Sequence, residues 1–206
     1  MKTLFGPGTF VLGGGAILLA GFLVVGFLLP GRWSAEASIV LSEAPEELLP
    51  FLESPEGWRR WTTWPDSGLV RSGPERGAGA SIAWEDEELG SGRFTIERVT
   101  DGPSVGYSVE VEGVAGSVMR TMGEVRSTAT PEGLRVVWSE NGDLGRNPLM
   151  GFWALSMERA QGVEMSKSLD RLQELLAATD SATVGGNTVR DGAPGPDEEP
   201  GTDGRG

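Results

Sequence analysis

Hydrophobic and polar residues follow several rhythms along the chain, and each change of rhythm marks an element. The first is unbroken apolarity, with no charged residue between Lys2 and Arg32. At about 1.5 Å per helical residue, the stretch 9–29 is long enough for a hydrocarbon core of roughly 30 Å. It predicts an uncleaved transmembrane anchor over residues 1–33 and a single-pass membrane protein. A cleaved signal peptide fits less well, because secretory apolar regions run only about 7 to 15 residues. A cut after Ala35-Glu36-Ala37 would also remove half of the first predicted strand. Lys2 and the free amine stand on one side and Arg32 on the other, a slight bias toward placing the folded domain on the non-cytoplasmic side.

Pro30-Gly31 ends this stretch. Residues 34–41 alternate as a strand does, with Ile39 and Leu41 on one face. A short helix follows, starting at Ser42 or at Ala44-Pro45. Pro45 suits the first helical position, Glu46 and Glu47 complement the positive end, and Leu48, Leu49, Phe51 and Leu52 form the apolar side. Trp58, Trp61 and Trp64 then recur every third residue up to Pro65. That period places them on one side of a helical turn, as the end wall of a core or cavity.

Over residues 68–141 the period becomes two. Phe94 and Ile96 oppose Arg93, Thr95 and Glu97, and Asp101-Gly102-Pro103 turns the chain. Val105, Tyr107, Val109 and Val111 oppose Ser104, Ser108 and Glu110; Leu134, Val136 and Trp138 repeat the rhythm; Ile82 with Trp84, and residues 118–126, supply further strands. Successive one-faced runs make an antiparallel sheet with one wet and one covered face. The cover is a long helix that Asn147 caps and Pro148 opens. Leu149, Phe152, Trp153, Leu155, Met157 and Ala160 fill its first half, and Met165, Leu169, Leu172, Leu175 and Leu176 its second. The stripe shifts near Gly162, which marks either a bend, a close approach by ligand or strand, or a glycine tolerated in tight packing. Beyond Ala178 the Gly, Pro, Asp, Glu and Thr residues lack apolar periodicity, so 179–206 is expected to be a disordered tail and 34–178 the folded domain.

Composition restricts the chemistry. The 206 residues include no Cys and no His. A Ser-His-Asp triad, a thiolate nucleophile, an Fe–S cluster and His-ligated zinc are therefore excluded, and catalysis would fall to carboxylates, Lys, Arg, Tyr or bound water. A net charge of -13 argues against nucleic acid, which needs a basic footprint. Gly77-Ala-Gly lacks the Lys-Ser/Thr of a phosphate loop, and no spacing calls for a metal or cofactor. The acidic run from Glu85 to Glu88 reads as a solvated hairpin edge.

The order of strand, small helices, about six strands and long terminal helix resembles the SRPBCC superfamily. This is the α+β helix-grip fold of START lipid-transfer, Bet v 1-like and polyketide cyclase/dehydrase-like proteins. The resemblance rests on Ser38-Ile-Val-Leu-Ser-Glu-Ala-Pro-Glu-Glu-Leu, Trp58-Arg-Arg-Trp-Thr-Thr-Trp-Pro, Gly77-Ala-Gly-Ala-Ser-Ile-Ala-Trp, and Leu134-Arg-Val-Val-Trp ahead of Asn147-Pro148. It implies a curved antiparallel sheet of about six to seven strands around the terminal helix, with a cavity that takes a hydrophobic small molecule such as a lipid or polyketide-like compound. The inward candidates are Trp84, Phe94, Ile96, Tyr107, Val109, Met119, Trp138, Phe152 and Met157, with Trp64 at the pocket mouth and Trp58 and Trp61 structural.

Three functions follow from that resemblance. One is a membrane-anchored binder or carrier of the apolar molecule, another is a cyclase/dehydrase-type enzyme in the same cavity, and the third is a tethered interaction domain with a filled core. For the enzyme, Tyr107 could orient a carbonyl and Glu140 or Asp143 act as a base. The simpler expectation is a buried Tyr107 whose hydroxyl meets backbone, a solvated turn at Glu140 and Asp143, and no catalytic residue.

Overall fold

The structure is a computed structural model that describes residues 7–42, 45–65, 67–87, 90–100, 104–112, 118–145 and 148–187. Helix α1 (Pro7–Leu28) leads into strand β1 (Arg32–Leu41), then the short helices α2 (Pro45–Leu52) and α3 (Pro55–Arg59). Six strands follow: β2 (Val70–Ser72), β3 (Ser81–Asp86), β4 (Gly90–Thr100), β5 (Ser104–Glu112), β6 (Val118–Thr130) and β7 (Gly133–Asp143); α4 (Pro148–Asn187) ends the described chain. The strands form one antiparallel sheet in the order β1-β7-β6-β5-β4-β3-β2. Its covered face meets α4, and this is the helix-grip architecture.

Period two becomes burial in each strand. Along β7, Leu134, Val136, Trp138 and Glu140 turn inward, and along β1 Trp33, Ala35, Ala37 and Leu41 do the same. From α4, Met165, Leu169, Leu172 and Leu176 close the core. The tryptophan stretch forms α3 and the turn after it. Ser54 caps α3 by accepting from the Gly57 N–H at 3.0 Å, and Pro55 takes the first position. The last carbonyls of a helix have no partner within it. Here the Trp58 indole N–H donates to Leu52 O at 2.7 Å and that of Trp61 to Phe51 O at 3.1 Å, so the two rings cap α2 while sealing the core.

Three further contacts across neighbouring strands shape the sheet. Trp33 lies over Gly142, Tyr107 over Gly123 and Trp84 over Gly92, and in each pair a Cβ on the glycine would collide with the aromatic ring. A flat aromatic side chain can thus lie across the neighbouring strand instead of standing up from its own.

The expected membrane anchor and single-pass location are corrected. α1 forms, but among the described residues no helix is long and apolar enough to cross a membrane. Its C-terminal part is engaged with protein: Phe22 stacks on Phe152 with ring centroids 4.4 Å apart, and Gly26 lies against the Pro148 carbonyl, too close for a Cβ. The first turns of α4 therefore meet α1, and Leu149, Trp153 and Leu155 remain exposed where a core face was expected.

α4 also runs past Ala178 to Asn187. The rest of the expected tail lies outside the described residues, as do the Asn147 cap, the Asp101-Gly102-Pro103 turn, Ala44 and Glu88. At Gly162 a Cβ would meet nothing within 4 Å, so no strand approaches there.

Candidate functional site

Between the inward face of β3–β7 and the middle of α4 lies a cavity of ≈ 450 Å³. From the sheet, Trp84, Phe94, Tyr107, Val109, Val111, Trp138 and Glu140 line it; α3 and the segment after it add Trp58, Thr62, Thr63, Trp64 and Pro65. α4 contributes Met157, Gln161, Glu164 and Ser168, whose spacing of four, three and four keeps them on one helical face. The aromatic rings form a continuous wall. Trp84 meets Trp64 edge-on at 5.8 Å, Trp64 meets Phe94 at 5.5 Å, Phe94 meets Tyr107 at 5.1 Å, and Trp58 touches Tyr107 at 4.7 Å and Trp138 at 5.8 Å.

One polar relay crosses this apolar wall. Strand pairing sets Tyr107, Gly123 and Glu140 in a row across β5, β6 and β7. Because Gly123 has no side chain, the Tyr107 ring lies flat across it and its hydroxyl donates to Glu140 Oε1. The Trp138 indole N–H donates to the same hydroxyl at 2.5 Å, and Gln161 donates through Nε2 to Glu140 Oε2 at 2.6 Å. Glu140 itself is only 6 % exposed.

Burial pushes the Glu140 carboxyl above the usual carboxylate range, against the hydrogen bonds from Tyr107 and Gln161 that favour its charged form. Tyr107 is held well above its ordinary value, first by burial and then by the neighbouring Glu140 charge. At the solvent-facing end Glu164 behaves oppositely: burial acts upward, but hydrogen bonds from Arg171 and Thr63 and the charge of Arg171 hold it below the usual range.

Of the residues singled out from the sequence, Trp64, Trp84, Phe94, Tyr107, Val109, Trp138 and Met157 come together on the cavity wall. Ile96 does not; it is fully buried in the core. Met119 sits opposite Val111 at the end of the sheet with 36 % of its surface exposed, and Phe152 lies against Phe22 of α1. Trp58, expected to be purely structural, is both core and wall.

The larger difference is Glu140. It lies within β7, not in a solvated turn, and Tyr107 meets side chains where backbone was expected. The alternation Leu134, Val136, Trp138 carried two residues further would have turned Glu140 inward. Asp143, at the strand end, is exposed and pairs with Arg32 at 3.2 Å. Among the described residues no group of three or more Asp or Glu side chains could hold a metal ion.

A buried carboxylate with a raised pKa can take a proton from an acidic C–H or O–H near neutral pH, and it can also anchor a ligand donor. The cavity around it is concave and mostly apolar with few polar groups, as small-molecule sites usually are.

None of the curated proteins matches the chain. Solved structures share its fold. A Mesorhizobium loti protein, MLL2253, matches with a TM-score of 0.53 at 15% identity, covering 71% of this chain and 98% of that one. The Helicobacter pylori hypothetical protein jhp0584 matches with a TM-score of 0.53 at 10% identity, over 70% of this chain and 86% of that one. The di-domain ARO/CYC StfQ from the steffimycin biosynthetic pathway has a TM-score of 0.53 at 12% identity, over 73% of this chain and 52% of that one. The family model described as "Polyketide cyclase / dehydrase and lipid transport" matches residues 32–177, from the first residue of β1 into the second half of α4. Because that match takes in every strand of the sheet and the helix it grips, the chain belongs to the polyketide cyclase/dehydrase and lipid transport family.

Proposed function

We propose that the protein binds an apolar small molecule, of lipid or polyketide-like character, in the cavity under α4. The observation that carries this reading is the hollow itself: ≈ 450 Å³ is left open beside a wall of Trp, Phe and Tyr rings. A concave, mostly apolar lining with a few polar groups is what small-molecule sites usually present. Native mass spectrometry of the purified full chain is expected to show a reproducible co-purified apolar ligand. Titration with such ligands should also change the emission of the wall tryptophans Trp58, Trp64, Trp84 and Trp138. Loss of the reading would follow from no bound mass and no change in emission across a panel of lipids and polycyclic ketones.

A second reading, a cyclase- or dehydrase-type enzyme, is favoured by the buried Tyr107–Glu140 contact. In it Glu140 removes a proton from a carbon next to a ligand carbonyl, with Tyr107 and Gln161 holding the carboxylate in place. If a bound ligand is turned over, Glu140→Gln should abolish turnover and Tyr107→Phe should reduce it with little change in ligand affinity. Turnover that survives Glu140→Gln would remove this reading and leave the first intact.

A further inference from the structure

The hydrogen bonds at the cavity wall have a direction, and that direction selects ligands. An indole N–H can only donate, so the Tyr107 oxygen accepts from Trp138 and its own hydrogen goes to Glu140 Oε1. Gln161 donates to the other oxygen. Elsewhere on the wall three donors are used as well: Thr62 gives its hydrogen to Trp58 O at 2.8 Å, Trp64 donates to Thr62, and Thr63 donates to Glu164 at 2.8 Å. The second amide hydrogen of Gln161 and the hydroxyl hydrogen of Ser168, whose oxygen accepts from Arg171 at 2.8 Å, are the other donors of the lining. The indole N–H of Trp84 has no hydrogen-bond partner among the described residues, and its nitrogen is covered by protein atoms.

The charges point the same way. Glu164 is paired with Arg171 at 2.9 Å. Among the described residues no Lys or Arg forms an ion pair with Glu140. An ionised carboxylate carries about four lone-pair sites; two are taken here, and no counter-ion stands among the described residues. A carboxylate buried in this way is costly until something pairs with it. The rings of Trp58, Trp64, Phe94 and Trp138 line the same cavity, and aromatic walls of this kind also suit a cation through the negative faces of their π systems.

From this geometry we infer that the ligand is an apolar molecule that brings a proton-donating group, a hydroxyl or an ammonium, to Glu140, and that molecules ending in a carboxylate are rejected. The inference rests on the binding function proposed above and adds the polarity of the ligand. A fatty acid or other anionic lipid that reached Glu140 would set a second carboxylate against it, with no Lys or Arg among the described residues paired to Glu140. An alcohol, phenol, enol or amine would supply the missing third hydrogen bond, and an ammonium would supply the counter-charge too.

The test is a matched series with one apolar body and four heads: 4-octylphenol, 4-octylbenzylammonium, 4-octylanisole and 4-octylbenzoate. Each is titrated into the full chain near neutral pH and followed by tryptophan emission. The phenol, the ammonium or both should bind about tenfold or more tightly than the anisole, as a hydrogen bond to a charged group predicts. The benzoate should be the weakest of the four. In Glu140→Gln the ratio of phenol to anisole should fall toward one and the benzoate should gain. A preference for the ammonium alone assigns recognition to charge, a preference for the phenol alone assigns it to the hydrogen bond, and both support the inference.

Equal binding of phenol, ammonium and anisole would overturn it, as would benzoate binding as tightly as the donors, while leaving the binding function standing. If no member of the series binds, the inference falls, while the binding function is decided by the panel of lipids and polycyclic ketones. The ratios in the unmodified protein decide the matter even if the variant does not fold.

Discussion

The interior under α4 has a solid end and a hollow end, built from the same kinds of residue. At the solid end Trp61 is fully buried with Leu41, Leu48, Leu52, Val136 and the α4 residues Met165, Leu169 and Leu172. At the hollow end Trp64, three residues later, is half-buried beside Met157, Gln161 and Glu164 on the preceding turns of the same helix. Aromatic content is thus not what separates core from cavity. The difference lies in what α4 presents: a continuous apolar stripe closes the first region, and a stripe interrupted by Gln161, Glu164 and Ser168 leaves the second open.

The sharpest way to break this comparison is to truncate the two tryptophans separately. Trp61→Ala should cost about 3–5 kcal/mol, the usual range for emptying a fully buried aromatic site, and should also release the Phe51 carbonyl that its indole N–H caps. Trp64→Ala should cost about 1 kcal/mol, typical of a partly exposed residue. Urea unfolding monitored by circular dichroism measures both; equal losses would mean that the two ends are packed alike.

A smaller effect is expected from Gly123→Ala. The added Cβ would collide with the Tyr107 ring and hydroxyl, so the ring must lift from the strand and leave Glu140. Overpacking of this kind costs about 1–3 kcal/mol. A change confined to the hollow end should appear as altered near-ultraviolet dichroism with far-ultraviolet dichroism retained. Unchanged spectra and stability would show that Tyr107 does not lie over Gly123.

Glu140 itself gives a pH-dependent difference. Its folded pKa is raised, so the stability linked to its neutral form is present below the unfolded carboxylate value and is lost as pH climbs through the folded one. Glu140→Gln keeps the shape without the charge. The unfolding free energy of the variant minus that of the unmodified protein, from urea titrations, should therefore increase from about pH 4 to pH 8, by up to about 1.4 kcal/mol for each unit that separates the two pKa values. A difference that stays constant over this range would place Glu140 in a solvated setting. The smallest effect is expected at Arg32→Ala, which removes an exposed pair with Asp143. Its loss should stay within about 0.2–1 kcal/mol and shrink in high salt.

Much of the fold was legible before any coordinates, because period two and helical spacing both record which side of an element is dry. Val105, Tyr107, Val136 and Trp138 were placed inward on that ground, and they are inward. The cavity wall was legible in part for the same reason. Glu140 was missed because a polar residue near a predicted turn reads as solvated when its strand is cut short by two positions. Phe152 was misplaced because periodicity shows that a helix has an apolar side without naming its partner, and its partner here is Phe22 of α1. The apolar N-terminal run was legible as a helix, but its expected role as a membrane span does not stand, since no described helix is long and apolar enough to cross.

The sequence by itself determined the order of elements, the covered face of the sheet, and the exclusion of thiolate and imidazole chemistry, all of which depend on local spacing or composition. Only the tertiary structure decided which inward residues are packed solid and which border a cavity. That distinction depends on volumes contributed by elements far apart in the chain. It also decided the Tyr107–Gly123–Glu140 row, because strand register sets a hydroxyl on β5 beside a carboxylate on β7 across a glycine on β6, and nothing local to any one strand encodes that meeting.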